Sequence, residues 1–361
     1  MPRISLETAT GSENFAYTIA TPTDTSTTNI VQGLPTVLFL HPVYVSSSIF
    51  HRGSRYEFRE FTSQPCWVSA VYVDPRLRRF NLVAMDLRGH GWTTVKVEDT
   101  YGSEVAARDV LKLMEALQIS TCHLVGVSMG ASAALEIAIA APEKVLSLFL
   151  VSPPPMKEPV ESLEGRQEIA NYLKEAGQHE TVDHAAMGDA LMGGLQFAYS
   201  NHNIETPLIK SLCTIGVAAA ERNWIGENAA LMHTVTVKYY LNQPQRTSSE
   251  SLSAFARIRC PVSLVHGSED IVYPPSCAEE LLALLHAANI DATLHTLEGA
   301  PHFGNITHQN ETHTLLYDFI LANSSAADIP PAPTSVQSPF EAELGLHDYP
   351  ADDSDSDTSV L

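Results

Sequence analysis

Cys122-His123-Leu124-Val125-Gly126-Val127-Ser128-Met129-Gly130, followed by the alanine-rich run Ala131–Ala140, decides the fold of this chain. An apolar run, a Gly-x-Ser-x-Gly turn and a helix-forming run stand consecutively, so strand, turn and helix share one short segment. At such a junction the serine takes a strained backbone conformation, and its hydroxyl rises above the sheet edge. Gly126 and Gly130 remove side chains where strand and helix nearly touch. The Met129 N–H then lies at the positive end of the helix, able to meet a developing oxyanion. A plain Gly/Ser turn is the bland reading, and the flanking strand and helix argue against it.

Working outward, the runs Thr36–Leu40, Leu82–Asp86, His123–Gly126, Val145–Val151 and Val262–His266 are short, apolar and mostly unalternated. Such runs suit strands of a parallel sheet covered on both faces. Helical periodicity lies between them, as in Tyr101–Leu117, where Val110, Leu113, Met114 and Leu117 share a face. Further helices are expected at Ala131–Ala140, Cys277–Ala288 and His313–Leu321. The alternation predicts an α/β fold with a doubly wound, mostly parallel sheet. A hairpin from Ile4–Thr8 and Asn14–Thr21 should add antiparallel edge strands.

The rhythm breaks after Pro153-Pro154-Pro155. Residues 152–258 read as several short helices with Gly and Pro interruptions, a helical cap inserted over the C-terminal edge of the sheet, where ligands bind in open α/β folds. The core is then expected from residues 1–151 and 259–322. Phe197, Tyr199, Trp224, Met232, Tyr239 and Tyr240 are candidates to line a pocket, though each alone reads more readily as cap core. From Asn323 to Leu361 the chain is Pro/Ser/Ala-rich and then acidic, with eight carboxylates and no Lys or Arg. Such a tail buries too little apolar area to offset ordering entropy, and residues 323–361 are expected to be disordered. Ser354 and Ser356 in the acidic run are candidate phosphorylation sites, against a passive solvated tail.

A formal charge of −21 argues against nucleic-acid binding and against attraction to anionic membranes. The 44% hydrophobic content fits a globular core, while no run approaches a membrane-spanning length. No apolar leader follows Met1, so the expected location is cytoplasmic and the sequons at Asn305 and Asn310 read as chance. Cys66, Cys122, Cys213, Cys260 and Cys277 are odd in number and widely spaced, and read as reduced thiols. No metal-ligand cluster or phosphate-binding loop is present in the pattern, so no cofactor is expected. The partner expected is a small-molecule substrate; oligomeric state is not legible.

A serine hydroxyl needs a base within hydrogen-bond reach and an acid to hold that base in the correct tautomer. After the strand Val262–His266, Asp270 stands in the loop His266-Gly267-Ser268-Glu269-Asp270. After Ala292–Leu297, His302 stands in the loop Glu298-Gly299-Ala300-Pro301-His302-Phe303-Gly304. Ser128, Asp270 and His302 thus follow one known chain order for nucleophile, acid and base. Glu269 should point elsewhere, and His295, His308 and His313 lie off the loop. The loop after Thr36–Leu40, His41-Pro42-Val43-Tyr44, can offer a second oxyanion donor. Pro42 has no N–H, so Val43 is the first candidate and Tyr44 the second. Asp86, Arg88 and His90, in a tight Gly-rich turn, read as structural.

The set LFLHPVYVSS, MDLRGHGWT, GVSMG, HGSEDIVYP and GAPHFGN resembles the α/β-hydrolase superfamily, in particular its esterase-like and enol-lactone-hydrolase-like members. The resemblance runs from about Ile4 to Leu321. It implies Ser128 as nucleophile, Asp270 as acid, His302 as base, and Met129 and Val43 as oxyanion donors. Two departures stand out. His41-Pro42 replaces the His-Gly common in the oxyanion loop, and residues Arg52–Tyr72 interrupt the expected path as a surface excursion or a retained intron. The activity implied is hydrolysis of a carboxylic ester or lactone through an acyl-enzyme on Ser128. The same triad geometry can also host C–C bond hydrolysis, or cofactor-free perhydrolase or lyase chemistry. A small-ligand receptor with a vestigial triad, or a scaffold acting through the acidic tail, are readings from other classes.

Overall fold

The computed structural model describes residues 1–9, 11–46, 74–93, 95–179, 181–200, 207–244, 248–325 and 329–336, with the backbone alone for 207–215, 227 and 248. The interruption expected at Arg52–Tyr72 and the acidic run holding Ser354 and Ser356 lie outside the described residues. Eight strands form one sheet: β1 (Arg3–Thr8), β2 (Gly11–Ala20), β3 (Thr36–Leu40), β4 (Asn81–Met85), β5 (Cys122–Val127), β6 (Val145–Val151), β7 (Val262–Gly267) and β8 (Ala292–Leu297). Their order is β1-β2-β4-β3-β5-β6-β7-β8. The pairs β1/β2 and β2/β4 are antiparallel, as the hairpin reading predicts, and the other pairs are parallel.

The unalternated apolar strands are explained by two cores. Leu38, Leu40, Leu124, Leu148, Leu150 and Leu264 point into one cluster. Val37, Phe39, Val125, Phe149, Val151 and Val265 point into the other, on the opposite face. Successive strand side chains alternate between faces, so a strand covered on both sides needs apolar residues at every position. Helices α1 (Ser103–Ala116) and α2 (Met129–Ala140) belong to the first core; α9 (Pro275–Ala287) packs on β7 and β8. Past the short α10 (Gly304–Thr307), α11 (Gln309–Ala322) sends Leu316 and Ile320 into the second.

Between β6 and β7 lie α3 (Val160–Ala176), α4 (His184–Tyr199), α5 (Pro207–Trp224), α6 (Ala229–His233), a π-turn at Thr234–Lys238, α7 (Tyr239–Leu241) and α8 (Ser248–Phe255). The helical character is as expected, but α3, α4 and α5 are long rather than short. Two of the glycines that read as breaks are packing residues instead. A Cβ on Gly165 of α3 would stand 2.5 Å from the Phe197 ring of α4, and one on Gly193 of α4 would stand 2.8 Å from Ile169 of α3. Both glycines let the two helices approach, and packing outweighs their modest helical cost.

The first residues of the expected tail make contacts with the core. Ser324 Oγ lies 3.0 Å from His123 Nε2, and Arg79 Nε donates to the Pro330 carbonyl at 2.6 Å. A guanidinium that also donates to Tyr317 Oη at 2.6 Å supplies the polar anchor that composition alone does not reveal.

Candidate active site

The strand ends line up at one edge. β3 and β5 pair through Leu40 and Gly126, β5 and β6 through Val127 and Val151, and β7 and β8 through Gly267 and Leu297. The five loops that follow therefore converge above the sheet. Ser128 caps α2 with φ 48° and ψ −114°, outside the regions open to ordinary residues. Its own N–H donates to the Val151 carbonyl at 2.9 Å, which ties the turn to the neighbouring strand. A Cβ on Gly126 would stand 2.5 Å from the Gly130 carbonyl oxygen, and one on Gly130 would overlap the Leu40 carbonyl. Both contacts are backbone, so neither can yield.

Asp270 and His302 reach this serine from the two downstream loops. His302 Nε2 lies 2.9 Å from Ser128 Oγ, and His302 Nδ1 lies 2.7 Å from Asp270 Oδ2. The second carboxylate oxygen accepts N–H groups from Val272 and Tyr273, each at 2.9 Å. Burial alone would raise the Asp270 pKa, but the His302 ring, the buried His266 ring and the Tyr273 N–H outweigh it, and the carboxyl is held below its ordinary value. The two loops are also bound to each other. The Glu269 N–H donates to the Ala300 carbonyl at 3.0 Å. A Cβ on Gly267 would stand 2.6 Å from the Pro301 carbonyl oxygen. Glu269 itself is exposed, and His295 is half-buried on β8.

Ser152 also belongs to the site. It follows β6 at φ 44°, and its hydroxyl donates to the His302 carbonyl at 2.8 Å. It fixes the backbone that carries the imidazole. A lone serine before three prolines gives no signal of this.

The loop after β3 is pinned from beneath. His41 Nδ1 is 2.8 Å from the Pro42 carbonyl, which makes it the N–H donor, and Nε2 accepts the Leu87 N–H at 2.9 Å. Burial lowers the His41 pKa to about 4, so the ring is neutral and this tautomer is held. The neighbouring His90 ring, centred 5.1 Å away, is pushed to about 3 by burial and by His41. Asp86, Arg88 and His90 hold the turn together, as their reading as structural residues anticipates. Asp86 Oδ2 accepts the Trp92 N–H at 2.8 Å, and Arg88 Nη2 donates to Asp109 Oδ1 at 2.8 Å. Val43 is buried at the end of this pinned segment, and Tyr44 follows with φ 67°. Met129 is the first residue of α2, where N–H groups have no carbonyl within the helix.

A cavity, partly open to solvent, lies beside the imidazole. His302, Val43, Tyr44, Arg166, Phe197 and Trp224 are among the residues lining it. Of the six expected pocket residues, Phe197, Tyr199 and Trp224 lie on its wall. Met232, Tyr239 and Tyr240 are buried core residues instead. Tyr239 Oη sits 3.0 Å from Ser132 Oγ, against the first turn of α2. Arg166 was missed, because one Arg in a polar helical stretch reads as solvated. Among the described residues there is no cluster of His, Cys, Asp and Glu able to hold a metal ion, and no helix long and apolar enough to cross a membrane.

Such an arrangement is able to pass a proton from a hydroxyl to an imidazole oriented by a carboxylate, next to an apolar cavity. The family model described as alpha/beta hydrolase fold matches residues 35–309, and the chain belongs to this family. Its described architecture is also that of solved hydrolases. A thermophilic esterase from Thermogutta terrifontis superposes with a TM-score of 0.65 over 90% of this chain and 100% of that one, at 14% identity. The enol-lactonase from Burkholderia xenovorans LB400 superposes with a TM-score of 0.62 over 88% and 99%, at 17% identity. In sequence, 81 residues are 38% identical to the dihydrolipoyllysine-residue acetyltransferase component of the acetoin cleaving system of Cupriavidus necator, 22% of this chain and 21% of that protein. The chain thus spans about a fifth of that relative's length.

Proposed function

We propose that this α/β hydrolase cleaves a carboxylic ester or lactone of a small apolar molecule through an acyl-enzyme on Ser128. The observation that carries the reading is the continuous hydrogen-bonded chain from Ser128 Oγ through His302 to Asp270, against an apolar cavity. In this mechanism His302 Nε2 takes the hydroxyl proton as Oγ attacks the carbonyl carbon. The Met129 and Val43 N–H groups receive the oxyanion, each donor contributing about 3–4 kcal/mol of transition-state stabilisation. The imidazolium then gives its proton to the leaving alkoxide. In the second half His302 takes a proton from water as its oxygen attacks the acyl carbon; the imidazolium then returns that proton to Ser128 Oγ as the acyl C–O bond breaks and the acid leaves. Asp270 holds the Nδ1–H tautomer and stabilises the imidazolium throughout.

In domain terms, residues 1–151 and 259–322 make the catalytic core, 152–258 a helical cap over the pocket, and 323–361 an acidic tail. The solved esterase and enol-lactonase support an ester or lactone as the substrate class by likeness of fold. The test is a panel of p-nitrophenyl esters of graded acyl length beside simple lactones. The wild type should turn over the short apolar members, and Ser128→Ala should turn over none at unchanged thermal stability. Retained turnover in Ser128→Ala would remove the serine from the mechanism.

A further inference from the structure

Arg166 is fully buried, yet it lines an otherwise largely apolar cavity. Its charge is already matched. Nε donates to Glu158 Oε1 at 2.9 Å, and Nη2 donates to Tyr273 Oη at 2.9 Å, while the guanidinium lies 3.7 Å over the Tyr240 ring. Tyr44, on the same cavity wall, carries a buried hydroxyl that faces the Arg166 guanidinium, yet its own O–H finds no acceptor among the described residues. A buried O–H left without an acceptor is costly, so its retention in a ligand cavity calls for one. The Tyr44 backbone is held at φ 67°, and the ring edge meets Trp224 with centroids 6.1 Å apart. Trp224 in turn donates from Nε1 to the Gly89 carbonyl at 2.7 Å. Burial raises the Tyr44 pKa to about 12, even with Arg166 drawing it down, so the hydroxyl stays a proton donor at any working pH.

We propose that Tyr44 Oη and Arg166 form the polar pole of the pocket and bind an uncharged acceptor oxygen, such as a keto or ether oxygen, on the substrate away from the scissile carbonyl. The proposal deepens the hydrolase reading above and rests on it. An uncharged oxygen is favoured over a carboxylate because Glu158 neutralises Arg166 at 2.9 Å. A second buried carboxylate would carry its desolvation cost without an unmatched cation to offset it. Tyr44 follows Val43 directly, so an oxygen held at Oη is positioned relative to the carbonyl at the proposed oxyanion donors.

The test is equilibrium binding by calorimetry to Ser128→Ala, which separates recognition from turnover. The ligands are matched pairs: ethyl 4-oxopentanoate against ethyl pentanoate, and 3-oxobutyl acetate against butyl acetate, with monoethyl succinate as the anionic member. The oxo ligand of at least one pair should bind about tenfold more tightly than its parent, the worth of one satisfied buried hydroxyl. Adding Tyr44→Phe should reduce that ratio to about one, and monoethyl succinate should bind no better than ethyl pentanoate. Equal affinity within both pairs, a preference that survives Tyr44→Phe, succinate binding tightest, or no saturable binding of any member would overturn the proposal. Failure of the hydrolase reading is a different result: the oxo preference stands in Ser128→Ala while the wild type turns over no ester.

Discussion

The sheet edge and the helical insertion solve different problems with different materials. At the edge, atoms are placed by backbone. Ser128 is held at φ 48° by a turn whose two glycines each pack against a carbonyl, and Asp270 accepts two backbone N–H groups. In the insertion, position is set by side chains: Phe197 over Gly165, Ile169 against Gly193, Arg166 between Glu158 and three aromatic rings. Backbone placement tolerates almost no change in residue type, whereas side-chain packing has many solutions of equal volume. Chemistry on this fold is therefore written in short motifs, and recognition is spread over long helices.

The contrast can be broken in graded ways. The largest effect should follow Ser128→Ala, with a loss of at least about 10⁴ in kcat on any ester substrate and little change in urea midpoint. Asp270→Asn should come next, with a loss of up to about 10⁴ in kcat because the amide favours the wrong imidazole tautomer. Activity within tenfold of wild type would mean that Asp270 only anchors its loop. In stability, Arg166→Met should cost about 3–5 kcal/mol by stranding the buried Glu158 carboxylate, and Arg166→Met with Glu158→Leu should recover most of it. Urea unfolding of the single and double variants reads both.

A glycine pair compares the two regions directly. Gly130→Ala forces a methyl group into the Leu40 carbonyl and should destabilise by at least about 2 kcal/mol. Gly188→Ala, within α4 and with open space where its Cβ would stand, should stabilise by about 0.5–1 kcal/mol. The reverse order would mean that the turn is not close-packed.

The pinned loop contributes to the pH dependence, together with the buried His123 and His313, whose pKa values burial also lowers to about 4. His41 and His90 have pKa values near 4 and 3 when folded, against 6.5 for a free histidine. Their folded values are depressed, so the stability they hold is fully present above pH 6.5 and drains as pH falls toward 4. The slope should be about 1.4 kcal/mol per pH unit for each buried ring. Equal urea midpoints at pH 7 and pH 5 would show that these rings are not buried and neutral.

Much of the edge was legible in advance. The strands before His41, Ser128, Asp270 and His302 could be read because apolar runs covered on both faces leave few other solutions, and the three loops then fell in a known order. Ser152 and the pinning of His41 under Leu87 were not legible, since each depends on a partner far along the chain or in another loop. The insertion misled for a physical reason. Gly165, Gly193 and Gly194 carry the signature of helix breaks, and only tertiary contact shows the first two to be crossing points. Arg166 and Glu158 are eight residues apart and read as surface charges until the fold buries them together. The contact that anchors the tail's first residues is likewise not legible, because Arg79 lies some 250 residues away in sequence.

The central claim is that Ser128 is a nucleophile activated by His302. A fluorophosphonate probe tests it without knowledge of the substrate. Mass spectrometry of the labelled full chain should locate one adduct on the peptide carrying Ser128, lost in Ser128→Ala and strongly slowed in His302→Ala. Absence of that adduct, while the protein binds ester ligands with ordinary thermal stabilisation, would contradict the account and point to a receptor on a hydrolase fold.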